Sequence, residues 1–355
     1  MQHARNVCSR WWLGVVLALT ITVALVAAVP VLASFLSAQA SGSTTGFAGS
    51  PAVVGVRAGE TYDEVVLVPI DDPDRPVVVA RVERLPETIS RGAVSPDGRR
   101  LALIVPSAGT PSAPEASLVV VELGTGSVHA IATRLPYLQT PLWGPHSDFL
   151  VVRRPVGSGE ALVRIGLDGS EQELFARSDV LGLYPVGYGP DGSLYAVALD
   201  REGSLLLRDG AEVVRFSDQL TRDWALSPDG TQLAYVVQDL QAGLRFVGEV
   251  LALDGRVTAQ AFDGDGRERL RPVWSPDGAH VRFGEEPVAR GGVAAAGANG
   301  FDLPVAFESR TGALLLERWD GSSFRDPGRR QYVVEADGST VTIEGVTRAF
   351  GWAER

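Results

Sequence analysis

One short sequence motif recurs along this chain and constrains its fold more than any other feature. Intact copies stand in "RGAVSPDGRRLALIV", "DWALSPDGTQLAYVVQ" and "RPVWSPDGAHVRFGE", and eroded copies in "TPLWGPHSDFLVVRR" and "YPVGYGPDGSLYAVAL". Each copy lies between two apolar runs. Because Pro presets φ for a turn and Gly accepts a positive φ, Ser-Pro-Asp-Gly predicts a hairpin corner between two strands. Its Asp is then a turn former rather than a catalytic acid.

The copies return at a spacing that is typical of propellers. With the Ser of each phrase as a register mark, the marks are Ser95, Gly144, Gly189, Ser227 and Ser275, with weaker echoes at Glu308 and Ala353. The steps between them are roughly 33 to 49 residues, a period that indicates blades of short strands. We therefore predict an all-β fold, a β-propeller of four-stranded blades. The predicted count is seven, or six if residues 279–300 form only a decorated loop.

Two columns beside the marks support this interpretation. The residue before each mark is large, and the residue two before it is mostly small. The large column is Val94, Trp143, Tyr188, Leu226, Trp274, Phe307 and Trp352, and the small column is Ala93, Leu142, Gly187, Ala225, Val273, Ala306 and Gly351. Such alternation is the period of a strand. We expect the small residues in the crowded centre and the large ones in the gaps between blades.

The two ends of the repeat complement each other. The chain finishes with a lone first strand in "TRAFGWAER", whereas residues 51–83 supply three strands without a first. Pairing them makes one composite blade, which closes the ring and removes two sheet edges. The propeller domain is thus predicted to span 51–355.

These motifs resemble a known family. "AVSPDGRRLALIV", "ALSPDGTQLAYVV" and "VWSPDGAHVRF", with "QYVVEADGSTVTI", look like the repeat of TolB-type propellers. They are also similar to the propeller domains of actinobacterial lipoproteins and of prolyl-oligopeptidase-like enzymes. The resemblance covers about residues 51–355 and implies an extracytoplasmic binding platform. It is specific for the fold and not for an activity, because the shared residues belong to turns and core.

The N-terminus predicts export. Residues 1–10 carry two arginines and form a cytoplasmic n-region, and 11–37 contain no charged residue. That length suits a single transmembrane signal-anchor better than a cleavable signal peptide, and the positive flank keeps the start in the cytoplasm. Residues 38–50 read as a flexible linker. The alternative is a secreted protein, because Ala38-Gln39-Ala40 fits a cleavage site that ends at Ala40.

Composition narrows the partners and cofactors. The net charge is −11, and all 32 basic residues are arginine. An acidic chain is a poor candidate for binding nucleic acid. The single cysteine, Cys8, excludes an intramolecular disulfide, and no histidine pair has metal-ligand spacing. "FDGDGRERL" faintly resembles a calcium loop without its final Glu, so we predict neither a metal nor another cofactor.

One set of residues points to a binding site. The loops that enter the first strands meet around one mouth of a propeller. They carry Arg91, Arg222, Asp223, Arg271 and Arg348, with Tyr184 beside them. Converging arginines can bind a carboxylate or phosphate group in bidentate fashion. The alternative is that they pair with Asp223, Glu268 or Asp302 and only stabilise the rim.

The sequence therefore favours a membrane-tethered extracytoplasmic propeller that binds a protein or envelope component, with no catalytic residue assigned. A different hypothesis is an extracytoplasmic lyase or glycan hydrolase that uses acids in the axial channel, which needs a pair of carboxylates. Nucleophile-elbow, P-loop and dinucleotide-binding patterns are absent from the sequence. A third hypothesis is a structural subunit of a membrane complex that assembles through residues 11–37.

Overall fold

A computed structural model describes residues 50–239, 245–253, 257–261, 267–287, 300–321 and 327–353. Within these ranges the chain is all β-strand and turn. None of the described residues forms a helix long and apolar enough to cross a membrane. The predicted n-region, transmembrane segment and linker lie outside the described residues, except for Ser50.

The described strands form six sheets, which we number as blades. Blade 1 joins the two ends of the chain as β26 (Arg348–Ala353), β1 (Ala52–Ala58), β2 (Tyr62–Pro69) and β3 (Val77–Glu83). Blade 2 is β4 (Arg91–Val94), β5 (Arg100–Thr110), β6 (Ala113–Glu122) and β7 (Val128–Pro136). Blade 3 is β8 (Leu142–Trp143), β9 (Phe149–Val156), β10 (Gly159–Gly166) and β11 (Glu171–Arg177).

Blades 4 and 5 repeat this pattern, and blade 6 is larger. Blade 4 is β12 (Gly182–Tyr188), β13 (Leu194–Asp200), β14 (Gly203–Arg208) and β15 (Ala211–Ser217), and blade 5 is β16 (Thr221–Leu226), β17 (Gln232–Asp239), β18 (Arg245–Ala252) and β19 (Val257–Ala261). Blade 6 is β20 (Arg267–Trp274), β21 (Val281–Pro287), β22 (Phe301–Phe307), β23 (Leu314–Trp319), β24 (Arg330–Ala336) and β25 (Ser339–Ile343). All described strand pairs are antiparallel.

The composite blade is confirmed, but the preferred count of seven blades is wrong. β26 pairs with β1, so that Ala52 faces Ala353. The register unit at Ser275, β20 with β21, does not form its own sheet, because the chain from Pro287 to Phe301 is too short for two more strands of ordinary length. Instead, β21 joins β22 through the pair Glu285–Asp302, which gives a six-bladed propeller whose last blade has six strands.

The Ser-Pro-Asp-Gly turns have the predicted role. In the turn at Ser227 the backbone N–H of Gly230 donates to the Ser227 carbonyl at 2.8 Å, and Gly230 has φ of 66°. The buried Ser227 hydroxyl donates to the Asp229 carboxylate at 2.6 Å, a bond that lowers the pKa of Asp229. The turns at Ser95 and Ser275 have the same two bonds. The Asp therefore stabilises a turn.

The large column connects neighbouring blades, as predicted. Indole N–H groups in this column donate to a small-column carbonyl in the preceding unit. The three bonds are Trp143 to Ala93 at 2.9 Å, Trp274 to Ala225 at 3.0 Å and Trp352 to Ala306 at 3.2 Å. In the small column, a Cβ added to Gly187 would lie 3.1 Å from the Cβ of Leu226, so this position is already crowded. The residues of the two columns thus form contacts between neighbouring blades.

The core lies between blades, and the first strands surround the axis. The second strand of blade 2 shows this, because Leu101 and Leu103 pack towards blade 1 while Ala102 and Ile104 pack towards blade 3. A closed ring of contacting strands surrounds the axis and consists of β26, β4, β8, β12, β16, β20 and β22. The strand β20 is therefore part of the central ring although it has no blade of its own.

The ring of first strands defines two faces of the molecule. We call the end where these strands begin the mouth face, formed by the loops 84–90, 137–141, 178–181, 218–220 and 344–347. We call the opposite end, which carries the Ser-Pro-Asp-Gly turns, the turn face. Because β1 runs antiparallel to β26, the described chain enters at Ser50 on the turn face.

Candidate functional site

The predicted arginines all lie on or near the mouth face, where the structure divides them into two groups. We call Arg222, Asp223, Arg271, Glu317 and Arg330 the ion-paired cluster, because carboxylates hold its arginines. We call Arg91 and Arg348 the arginine pair. In the described part of the chain, no carboxylate forms an ion pair with either of them.

Asp223 organises one side of the ion-paired cluster. Its carboxylate lies 3.0 Å from the Nε of Arg222 and accepts a hydrogen bond from the backbone N–H of Arg271 at 3.3 Å. Asp223 and Arg271 both have positive φ, 53° and 44°, at irregularities in β16 and β20. Such bulges redirect side chains, and here they bring two neighbouring first strands to one carboxylate.

Glu317 organises the other side of the cluster and was not predicted from the sequence. This buried residue of β23 lies 3.0 Å from Nη1 of Arg271 and 3.5 Å from Nη1 of Arg330. Arg330 also donates to the Thr347 carbonyl, in the loop that leads to Arg348. Of the partners expected for the rim arginines, Asp223 is thus found beside Arg222, whereas the guanidinium of Arg271 pairs with Glu317, which was not among them.

Of the other two carboxylates that were expected to pair with the rim arginines, the structure describes the side chain of Asp302, which pairs elsewhere. Asp302 is held by Arg318, whose Nε and Nη2 donate to its two oxygens at 2.8 and 2.7 Å. The side chain of Glu268 lies outside the described residues, as do Asp263 and Asp265 of the calcium-like segment. Among the described residues, no group of three His, Cys, Asp or Glu side chains is placed to hold a metal ion.

Among the described residues, a backbone carbonyl rather than a carboxylate accepts from Arg348 of the arginine pair. Nη1 of Arg348 donates to the Ser90 carbonyl at 3.4 Å, which places its guanidinium beside the strand start that carries Arg91. Burial lowers the pKa of Arg348, and the positive charges of Arg91 and Arg330 lower it further, against the opposite effects of Tyr332 and Glu317. The two like charges repel each other, and an anion placed between them would remove that repulsion.

Two buried donors beside this pair have no acceptor among the described residues. The Ser90 residue is 2% exposed, and its hydroxyl has no hydrogen-bond partner. The Nε of the next residue, Arg91, is also buried without a partner. Leaving a buried donor unsatisfied costs about 1 to 3 kcal/mol, so adjacent orphan donors indicate a position for an acceptor. Carboxylate and phosphate oxygens match both donors and charge.

Tyr184 lies elsewhere on the mouth face. Its half-buried ring packs 4.8 Å from the ring of Trp224, and the guanidinium of Arg153 lies 4.4 Å from the Tyr184 ring centre. Arg153, another residue that sequence reasoning missed, is 3.4 Å from Glu160. Tyr184 is therefore next to an arginine that has its own carboxylate, rather than beside the arginine pair.

A cavity of about 610 Å³ adjoins the ion-paired cluster at the ends of β22, β23 and β24. Arg330 belongs to both the cluster and the cavity wall. The rings of Phe301 and Trp319 stack in this wall with centres 6.1 Å apart, and the guanidinium of Arg330 lies 5.4 Å from the Trp319 ring.

Comparison with solved structures supports the propeller fold. The chain is similar to the periplasmic gluconolactonase of Pseudomonas aeruginosa, with 14% identity, coverage of 86% of this chain and 99% of that chain, and a TM-score of 0.51. It is also similar to TolB from Acinetobacter baumannii, with 15% identity, 87% and 67% coverage and a TM-score of 0.49. An oligogalacturonate lyase in complex with manganese has 12% identity, 79% and 81% coverage and a TM-score of 0.45.

These likenesses concern the fold alone. TolB, whose repeat this sequence resembles, is among the solved structures with a similar chain path. No protein-family model matches the sequence, and no curated protein matches it significantly.

Proposed function

We propose that this chain is an extracytoplasmic propeller, held at a membrane by residues 11–37, that binds an anionic group of a partner at the arginine pair. The partner is a protein or another envelope component. The observation that carries the proposal is the juxtaposition of Arg91 and Arg348 without a carboxylate, beside the orphan donors of Ser90 and Arg91. A protein with net charge −11 has many acids available elsewhere, so this cationic position is a distinctive feature of its surface.

A single anionic group would satisfy this arrangement. A carboxylate or phosphate placed between the guanidinium groups of Arg91 and Arg348 would relieve their repulsion and accept hydrogen bonds from the orphan donors. Arginine suits this role because its planar group presents several donors at fixed angles. The guanidinium of Arg91 lies 5.8 Å from the Tyr137 ring centre, which restricts its position before the ligand arrives.

The geometry supports binding better than hydrolysis or elimination at the mouth. Glycoside hydrolysis usually needs two carboxyl groups that face one substrate bond. Among the described residues of the ion-paired cluster, Asp223 and Glu317 are the two carboxylates, and arginine groups occupy both. Their oxygens are engaged in holding the rim, whereas the donors of the arginine pair lack acceptors.

Photo-crosslinking in the native membrane tests this function. A benzophenone amino acid at Thr140, an exposed residue of the mouth-face loop 137–141, would report partners of the full-length chain, in the wild type and in two double variants. We expect a specific crosslinked partner that disappears in Arg91→Gln/Arg348→Gln and remains in Arg222→Gln/Arg271→Gln. The same partner in all three proteins would contradict the proposal, and would favour a structural subunit that assembles through residues 11–37.

A further inference from the structure

The large apolar side chains that the structure describes as exposed are concentrated on one face. In the part of the chain that the structure describes, six large hydrophobic side chains are exposed. Four of them lie in the mouth-face loops, and a fifth, Val156, ends β9 at the same end of its blade. We call these five the apolar rim: Ile89, Leu138, Val156, Leu181 and Leu220. The sixth, Val213, lies on the outer strand β15. Scattered exposed leucines need no explanation, but a one-sided set over four consecutive blades indicates an interaction surface.

Aromatic side chains lie beside the apolar rim. The Tyr137 hydroxyl donates to the Ile89 carbonyl at 2.8 Å and so connects the loops that enter blades 2 and 3. Further round the mouth, Tyr184 and Trp224 pack against each other and are half-buried. Tyrosine, tryptophan and arginine are the residues that most often dominate the energy of protein interfaces, and all three occur here.

The apolar rim is continuous in sequence with the arginine pair. Ile89 stands two residues before Arg91, and the intervening Ser90 accepts the hydrogen bond from Arg348. A ligand group that enters between the arginines therefore places its neighbouring groups next to Ile89 and Tyr137. This proximity requires the partner to combine apolar side chains with an anionic group.

The charges around the apolar rim favour a protein over an anionic membrane. Glu87, Asp179 and Asp218 are exposed and stand two residues before Ile89, Leu181 and Leu220 in the same loops. These three carboxylates would repel the negative surface of anionic lipids. A protein segment can instead present its acidic group only to the arginine pair.

We infer that the apolar rim and the arginine pair form one docking surface for a segment of a partner protein that carries aliphatic or aromatic side chains beside a carboxylate. This inference rests on the proposed function, because the arginine pair supplies its anion contact. It adds the kind of partner and the surface over which that partner extends, from blade 2 to blade 5.

Peptide selection provides the test. A library of displayed random peptides would be selected on the full-length chain in nanodiscs, and the best peptide would be titrated by fluorescence anisotropy. We expect selected peptides to combine Leu, Ile, Phe or Trp with Asp or Glu. Affinity should fall about tenfold in Leu138→Ser/Leu181→Ser and at least as much in Arg91→Gln/Arg348→Gln. Val213→Ser, the matched exposed control, should bind within about twofold of the wild type.

The outcomes distinguish this inference from the proposed function. Peptides that require the arginines but bind Leu138→Ser/Leu181→Ser normally would overturn the docking surface and leave the anion site intact. Peptides that require the leucines and ignore the arginine pair would overturn both proposals. Failure to select any peptide that Arg91→Gln/Arg348→Gln rejects would also overturn the inference. So would leucine-dependent binding of the nanodisc-held chain to phosphatidylglycerol vesicles, because the surface would then dock on lipid.

Discussion

The two groups of arginine at the mouth differ in what neutralises them. In the ion-paired cluster, Glu317 contacts Arg271 and Arg330, and Asp223 contacts Arg222. In the arginine pair, Arg348 has a long hydrogen bond to a backbone carbonyl, and the Nε of Arg91 has no acceptor. The comparison teaches that arginines with similar positions in a repeat can serve different purposes. Carboxylates neutralise one group, whereas we propose that the other binds an anionic ligand.

The largest effect is expected at the centre of the ion-paired cluster. Glu317→Gln leaves Arg271 and Arg330 without their shared carboxylate in a buried position. Breaking a fully buried pair costs about 3 to 5 kcal/mol, and because Arg271 is about half exposed we expect a loss of about 2 kcal/mol. Urea denaturation measures it. Glu335→Gln, whose partner is the partly exposed Arg318, is the control and should cost less than about 1 kcal/mol.

The next prediction compares how the loss of one arginine from each group changes the free energy of unfolding. Arg271→Gln removes an ion pair with Glu317 and should lower the free energy of unfolding by about 1 kcal/mol. Arg348→Gln removes a partly buried charge that is repelled by Arg91 and Arg330, so it should leave stability unchanged or raise it by about 0.5 kcal/mol. Thermal unfolding of both variants measures the two changes in stability. Equal destabilisation would mean that the arginine pair also stabilises the rim.

The smallest change in stability is expected on the turn face, away from the mouth, where Ser227→Ala provides a reference for the variants above. The hydroxyl of Ser227 lowers the pKa of Asp229 in the folded protein. The bond therefore contributes its full stability at pH values above the ordinary aspartate pKa of 3.8. This contribution is lost as the pH falls through the lowered pKa of the folded state. Ser227→Ala should cost about 1 kcal/mol at neutral pH. The difference from the wild type should shrink in acid. A difference that grows towards low pH would contradict the assignment of Asp229 as an ionised turn former.

The sequence predicted the fold well because each repeat marks the same structural position. The Ser-Pro-Asp-Gly motif and the large and small columns reflect contacts that recur in several units, and the complementary ends reflect the one composite blade. The count of blades was less accessible. The phrase at Ser275 marks a first strand at the centre, and β20 is indeed in the ring. Whether that strand acquires its own blade depends on the length of chain between β21 and β22, which is too short here for two more strands.

The candidate site was only partly predictable, because the repeat locates strand starts and not their partners. Arg91 and Arg348 were named from their position before the marks, and their role in binding stays a prediction. Glu317 and Arg153 lie instead on second strands, β23 and β9, and pair across blades or hairpins. In both strands the sequence contains a feature that could have predicted these residues. Each has a charged residue near the mouth end of an otherwise apolar run, in "LLLERW" and "FLVVRR". Charges there need a partner because the strand is otherwise buried.

The most direct test is the binding of a small anion by the two matched double variants. Thermal unfolding of the full-length chain in nanodiscs would be followed by tryptophan fluorescence with glutarate or inorganic phosphate at constant ionic strength. A ligand that binds only the folded state raises the melting temperature. The account predicts a rise in the wild type and in Arg222→Gln/Arg271→Gln that is lost in Arg91→Gln/Arg348→Gln. An equal rise in all three proteins, or a loss only in Arg222→Gln/Arg271→Gln, would contradict it.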